Sequence, residues 1–269
     1  MLGAIGGDIA GSIYELKGFK GQKIKVNEIV LFKEECRTTD DTYLTLAVAN
    51  AILTKTSYSE NIIKFVKKYS EKPKYEKSDL FFKSPFSKNT TDCVYFNKPG
   101  LSRGNGLSMS ISAISLLFDT PKTIVNEVKK AAIKTHNSDE AINTASALAI
   151  TIFLARKGYN KNYIEKFIKK QFGYNLNFNL KKLIQNYAFS SNAVDTVPLA
   201  IATFLNTNSY LECIETAISI GGDTDTNAAM AGSIAEMYYG IDDETQNKIY
   251  SYLTAEEEKI VRKVYTKIR

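Results

Sequence analysis

The chain has no tryptophan, one histidine, three cysteines and five prolines in 269 residues, and each scarcity excludes something. Cys36, Cys93 and Cys213 are odd in number and widely spaced, which argues against a disulfide framework or a structural zinc site. Reduced thiols in a cytoplasmic protein are the expectation. With His136 alone, no second histidine is available for a metal site and no Ser-His-Asp arrangement is in view, so it is not read as a general base. Few prolines and no repeat of fixed period exclude collagen-like, mucin-like and solenoid architectures. The longest uncharged apolar run, Ala141 to Ala155, has 15 residues. That falls short of the roughly 18 a spanning helix needs, so no membrane partner is expected. The opening Met1-Leu-Gly-Ala-Ile-Gly-Gly-Asp8 has no basic n-region, and Asp8 interrupts any h-region, which argues against a secretory signal.

What is present describes an ordinary globular protein, 44% apolar and 24% charged, with a core to match. The net charge of +6 sits mainly in Lys55 to Lys88 and Lys157 to Lys182. Lysine far outnumbers arginine there and its spacing suits solvated helix faces, so nucleic acid is a possible but not a favoured partner.

Helical periodicity dominates. Leu2, Ile5, Ile9, Ile13 and Leu16 follow one buried stripe, and Leu44, Ala47, Val48, Ala51 and Ile52 follow another. Further helices are predicted near 59–72, 107–118, 123–135, 139–157, 161–172, 179–190, 193–205 and 226–239. Thr120-Pro121 is a start signal, and Ser209…Glu212 and Thr254…Glu257 read as capping boxes. Ile24-Lys25-Val26 is the best strand candidate and is short. About a dozen helices without an obvious linker predict one all-α domain over 1–269, a compact orthogonal multi-helix array. Residues 17–38 and 73–106 resist the helical template, and long connections of that kind are usually functional.

Three acidic features carry chemistry. Thr39-Asp40-Asp41-Thr42 opens one predicted helix, Gly221-Gly222-Asp223-Thr224-Asp225-Thr226 opens another, and Glu15 ends the first. Aspartates at helix starts are often plain caps, and Asp40 and Asp41 alone carry no more than that. The second motif is harder to dismiss, because its glycines allow a tight turn and its two carboxylates can turn toward one ion. Oxygen donors without histidine or thiolate suit Mg²⁺, Mn²⁺ or Ca²⁺ rather than zinc. Glu15, Asp40, Asp41, Asp223 and Asp225 would total −5 if they converged, which two divalent ions nearly balance and one does not. Convergence of these segments therefore implies a central dinuclear metal cleft. Ser102-Arg103-Gly104-Asn105-Gly106 is either an ordinary turn or an anion-binding loop, with Arg103 suited to phosphate oxygens. His136 is either a contact at a ligand's edge or a surface residue.

In order along the chain, Gly-Ala-Ile-Gly-Gly-Asp-Ile-Ala-Gly-Ser-Ile-Tyr-Glu at 3–15, Thr-Asp-Asp-Thr at 39–42, Gly-Asn-Gly at 104–106, Thr-His-Asn at 135–137 and Gly-Gly-Asp-Thr-Asp-Thr at 221–226 resemble the ADP-ribosylglycohydrolase family. Residues 192–198 and 231–240 resemble it too. The resemblance implies an all-α fold, a cleft with two Mg²⁺ or Mn²⁺ ions, and cleavage of the bond between ADP-ribose and an ADP-ribosylated protein or other acceptor, with ADP-ribose as product. It places Thr39, Asp40, Asp41, Asp223, Asp225 and Thr226 on metal-ligand positions. Glu15 falls on an acidic position used in catalysis or gating, with Asp40 and Asp41 beside it as catalytic candidates. Ser102, Gly104, Asn105 and Gly106 fall on the substrate loop, and His136 falls near the nucleotide. Ser110 stands where many members have arginine, and Ser138-Asp139-Glu140 departs from the usual continuation of Thr-His-Asn. Neither change touches a metal ligand. Two other readings stay open: a member that binds ADP-ribose without turnover, and a two-metal phosphatase or phosphodiesterase.

Overall fold

In the computed structural model, residues 1–22, 24–71 and 84–268 are described. They form sixteen α-helices and one 3₁₀ turn, and their only β pairing is two isolated backbone bridges. The first third holds α1 (Leu2–Gly11), α2 (Glu15–Phe19), α3 (Asp40–Thr54), α4 (Tyr58–Tyr69) and α5 (Lys88–Tyr95). The middle holds α6 (Gly106–Ser110), α7 (Ser112–Leu117), α8 (Pro121–Ala132), α9 (Asp139–Arg156), α10 (Lys161–Phe172) and α11 (Leu180–Asn186). The last part holds α12 (Ala193–Leu205), α13 (Tyr210–Ile220), α14 (Thr224–Tyr239), α15 (Asp243–Tyr250) and α16 (Ala255–Tyr265).

Amphipathicity sorts these helices into two shells. Every residue of α1 and all of Thr224–Glu236 in α14 are buried, and α9 and α12 are nearly so. Such helices are apolar all round and belong to the interior. Around them, α4, α8, α10 and α16 bury one stripe each and turn the other face to water. Lys64, Lys67 and Lys68 on α4 and Lys166, Lys169 and Lys170 on α10 lie on those wet faces.

The centre of the array is α1 laid against α14. Gly3, Gly7 and Gly11, spaced by four, form a groove on α1. A Cβ there would fall 2.4 Å from the Gly232 carbonyl oxygen, 2.2 Å from that of Ala228 and 2.5 Å from Cα of Asp225. Glycine in a helix costs about 0.5–1 kcal/mol each, and here the return is backbone-to-backbone contact beside the acidic N-terminus of α14. Gly7→Ala is expected to lose about 1–3 kcal/mol, because the obstructing atoms are main chain and cannot rotate away. At this size each kcal/mol moves the melting temperature by about 2–4 °C, and a variant melting with the wild type would contradict this packing.

Several helix starts follow the sequence. Thr120 caps α8 with Pro121 at its first position, and Thr254 with Glu257 forms a complete capping box. The Ser209 motif is only half of one: Ser209 Oγ accepts from the Glu212 N–H, but the Glu212 carboxylate takes the N–H of Asn208 instead. Ile24-Lys25-Val26 is not a strand; Val26 opens the 3₁₀ turn Val26–Glu28, and Tyr14 Oη takes the N–H of Val30. The expected helix at 107–118 is two, α6 and α7, meeting at Ile111. That at 179–190 ends at Asn186, because the chain beyond runs extended to line the cleft described next. The connection at 73–106 contains α5, and its residues 73–83 lie outside the described ones.

Candidate active site

Two helix N-termini and the end of α1 meet at one point. Helix α3 contributes Thr39, Asp40 and Asp41; α14 contributes Asp223, Asp225 and Thr226; α1 contributes Asp8, and α2 starts with Glu15. The positive ends of the two helix dipoles favour carboxylates there. Carboxylate oxygens of Asp8, Asp41 and Asp225 lie within 4.8 Å of one another, and so do those of Glu15, Asp223 and Asp225. Asp225 belongs to both groups. All five residues are buried, Asp8 completely. Thr226 Oγ1 donates to Asp41 Oδ2 at 3.1 Å, tying α14 to α3. Asp40 is in neither group; it is half-buried and lines the adjoining cleft.

Burial and like charge make this arrangement costly by itself. The Asp41 carboxyl is pushed well above the usual carboxylate range, first by burial and then by Asp225, Asp8, Asp40 and Asp223. Burial also raises Asp8, against the opposing donors of Thr39 and Thr42. Counting Asp8, six carboxylates gather where sequence spacing assembled five. Asp41 Oδ1 is buried with no hydrogen-bond partner among the described residues. An orphaned oxygen in an all-oxygen donor set fits a hard divalent cation.

The cleft beside the cluster holds about 490 Å³. Glu15, Asp40, Asp223 and Thr226 line it together with Ser102–Gly106, His136, Phe189, Ser191 and Asn192. Ser84–Thr90, at the start of α5, completes the lining. A larger cavity of about 700 Å³ lies against Glu236 and Tyr265, away from the acidic cluster; the chemistry, rather than the volume, marks the smaller one.

The Gly-Asn-Gly loop is more than a turn. It is stitched on both sides by main chain: Ser102 N–H donates to Thr135 O at 3.3 Å, and Asn105 N–H to Ser191 O at 2.9 Å. Asn105 Nδ2 donates to Asp223 Oδ2 at 2.8 Å, so the loop touches the acidic cluster directly. A Cβ on Gly106 would fall 2.9 Å from the His136 ring. Arg103 projects outward and lies 3.9 Å from Glu140 at the rim.

His136 is not a surface residue. It is buried in the lining, with Nδ1 2.8 Å from Thr135 Oγ1. Burial pulls its pKa from the ordinary 6.5 to about 4, so the ring is neutral at physiological pH. The neutral ring contributes stability above pH 6.5 that is lost as the pH falls toward 4. Because it is the only histidine, its imidazole proton resonances are unambiguous. They are expected to stay flat from pH 8 to about 5.5; an inflection near 6.5 would place the ring in water.

Sequence reasoning missed Asp8. The available signal was a charged residue inside an otherwise apolar helix, which is rare unless partnered. It also missed the Asn105–Asp223 contact, which joins positions 118 residues apart.

The profile of the ADP-ribosylglycohydrolase family matches residues 1–256, and the chain belongs to that family. ADP-ribosylhydrolase ARH3 of Homo sapiens is 26% identical over 310 residues, covering 90% of this chain and 85% of that protein. ADP-ribosylarginine hydrolase Tri1 of Pseudomonas putida is 30% identical over 112 residues, 40% of this chain and 30% of that one. A solved chain described as an "ADP-ribosylglycohydrolase-related protein complex" covers all of this chain and is itself 97% covered, with a TM-score of 0.67 and 19% identity. That likeness bears on the fold. Among the described residues no helix is long and apolar enough to cross a membrane.

Proposed function

We propose that this protein is a hydrolase that releases ADP-ribose from an ADP-ribosylated acceptor, with two Mg²⁺ or Mn²⁺ ions held by Thr39, Asp40, Asp41, Asp223, Asp225 and Thr226. The observation that carries this reading is the pair of carboxylate groups sharing Asp225, set beside a cleft lined by the Ser102–Gly106 loop. Family membership supplies the substrate class. Bound there, the ions supply Lewis-acid charge at the ribose end of the substrate. Ser102, Gly104, Asn105 and Gly106 hold the diphosphate end, and the neutral His136 ring offers one hydrogen bond without adding charge. Glu15, buried but lining the cleft, takes the proton of the attacking water as the bond to the acceptor breaks. That proton is passed on to the departing acceptor atom, so free ADP-ribose and the protonated acceptor are released. Three buried free thiols support placing the protein in the reducing cytoplasm.

The test is incubation with arginine-, serine- and nucleobase-linked ADP-ribose in Mg²⁺ or Mn²⁺, with products resolved by mass spectrometry. Free ADP-ribose, lost on chelation and restored better by Mg²⁺ or Mn²⁺ than by Zn²⁺, is the expected result. Inorganic phosphate or AMP would make it a two-metal phosphatase or phosphodiesterase. Tight ADP-ribose binding without product would make it a binding protein.

A further inference from the structure

Asp8 stands apart from the other carboxylates of the cluster in what its oxygens do. Oδ1 accepts from Thr39 Oγ1 at 2.7 Å. Oδ2 accepts the N–H of Thr39 at 3.0 Å, the N–H of Thr42 at 3.2 Å and the Thr42 hydroxyl. Each carboxylate oxygen offers about two lone-pair directions; Oδ2 is saturated by its three donors, and Oδ1 keeps one direction beyond the Thr39 hydroxyl. All four donors come from Thr39 and Thr42, so Asp8 is engaged chiefly by the start of α3, although one of its oxygens lies within 4.8 Å of carboxylate oxygens of Asp41 and Asp225. Two of its donors are backbone N–H groups at the start of α3, which a neutral side chain could cap without placing another buried negative charge beside Asp41. The other two fix the hydroxyl rotors of Thr39 and Thr42. With its proton committed to Asp8, the Thr39 oxygen accepts the Asp41 N–H at 3.3 Å as the cap of α3 and keeps a lone pair for another partner.

We propose that Asp8 is a positioning residue for the cation site: through the donors of Thr39 and Thr42 it aims Thr39 and Asp41 at the ion and adds negative charge behind them. This rests on the reading of the cluster as a cation site. It also accounts for the depth of Asp8 in α1, where the Gly7 and Gly11 contacts with α14 hold it in register with Asp225. Outer partners of this kind tune affinity by orienting the groups that do the binding.

The test is calorimetric titration of the full-length protein with Mg²⁺ and with Mn²⁺, alongside melting in chelator. Asp8→Asn is expected to weaken cation binding about 10–100-fold, whatever it does to the metal-free melting temperature. Thr42→Val, which leaves Asp8 in place and removes one donor, is expected to weaken it to a smaller extent, with Thr42→Ser restoring the wild-type constant. A purely structural role would lower the metal-free melting temperature and leave the dissociation constant unchanged. Wild-type affinity in Thr42→Val and in any folded Asp8→Asn overturns the proposal and leaves the cation site standing. Failure of the wild type to bind either ion overturns both.

Discussion

Asp225→Asn is expected to abolish release of ADP-ribose and, in chelator, to raise the melting temperature of the protein. Both effects follow from its place in the two carboxylate groups. The asparagine can still accept the Thr226 N–H that Asp225 Oδ1 now accepts at 2.9 Å, so the start of α14 is kept. On the proposed two-ion reading a charged donor would be lost, and charge stabilisation worth several kcal/mol would go with it. That amounts to about 10³-fold or more in rate. The metal-free protein, in contrast, is relieved of repulsion: Asp225 is the first of the carboxylates that push the Asp41 pKa upward, second only to burial. Relief of about 1 kcal/mol corresponds to about 2–4 °C at this chain length.

The pH dependence has the same origin. Carboxyl groups raised in the folded state bind protons more tightly there than in the unfolded chain. Their stability is present at low pH and is lost as the pH rises through the raised values. The chelated wild type should therefore melt higher at pH 5 than at 7.5, offset in part by protonation of buried His136, and saturating Mg²⁺ should reverse the order. Turnover by Asp225→Asn within tenfold of the wild type would remove Asp225 from the centre of the reaction.

Periodicity made the helical class and most helix positions legible, because a buried stripe is a property of one segment. Helix 161–172 matches residue for residue, and 193–205 does so despite Pro198. Helices α2, α5 and α15 escaped because they are short, with little repeat for a stripe to show. The acidic motifs were legible as chemistry because each concentrates carboxylates at a helix start. What they face was not. The Gly3–Gly7–Gly11 groove looks like scattered small residues until α14 lies in it, and Asp8 looks like part of a glycine-rich opening until Thr39 and Thr42 surround it. Such contacts join segments 31 to 229 residues apart, beyond the reach of local spacing.

Glu15 and Asn105 show how a contact of that kind changes an expectation. Read from the motifs, Glu15 acts on rate and Asn105 on affinity, since the latter belongs to the substrate loop. The loop, however, is held by main chain: the Asn105 N–H reaches Ser191 O, and the Ala193 N–H reaches Arg103 O. Removing the Asn105 side chain leaves those bonds and takes a donor from Asp223. A hydrogen bond to a charged group contributes about 1.5–3 kcal/mol, so Asn105→Ala is expected to lower kcat about 10–100-fold with a smaller change in KM. Glu15→Gln is expected to lower kcat by about 10²–10⁴-fold, the range of a general base, and added Mg²⁺ should not restore it. The affinity phenotype moves to Gly106→Ala, whose methyl group meets the His136 ring at 2.9 Å and displaces the loop. Its KM should rise more than its kcat falls. Steady-state kinetics of the three variants at two Mg²⁺ concentrations separates these roles. If Asn105→Ala raises KM alone, its side chain serves the substrate rather than Asp223; if Mg²⁺ rescues Glu15→Gln, Glu15 is a cation ligand and the proton passes to another carboxylate of the cluster.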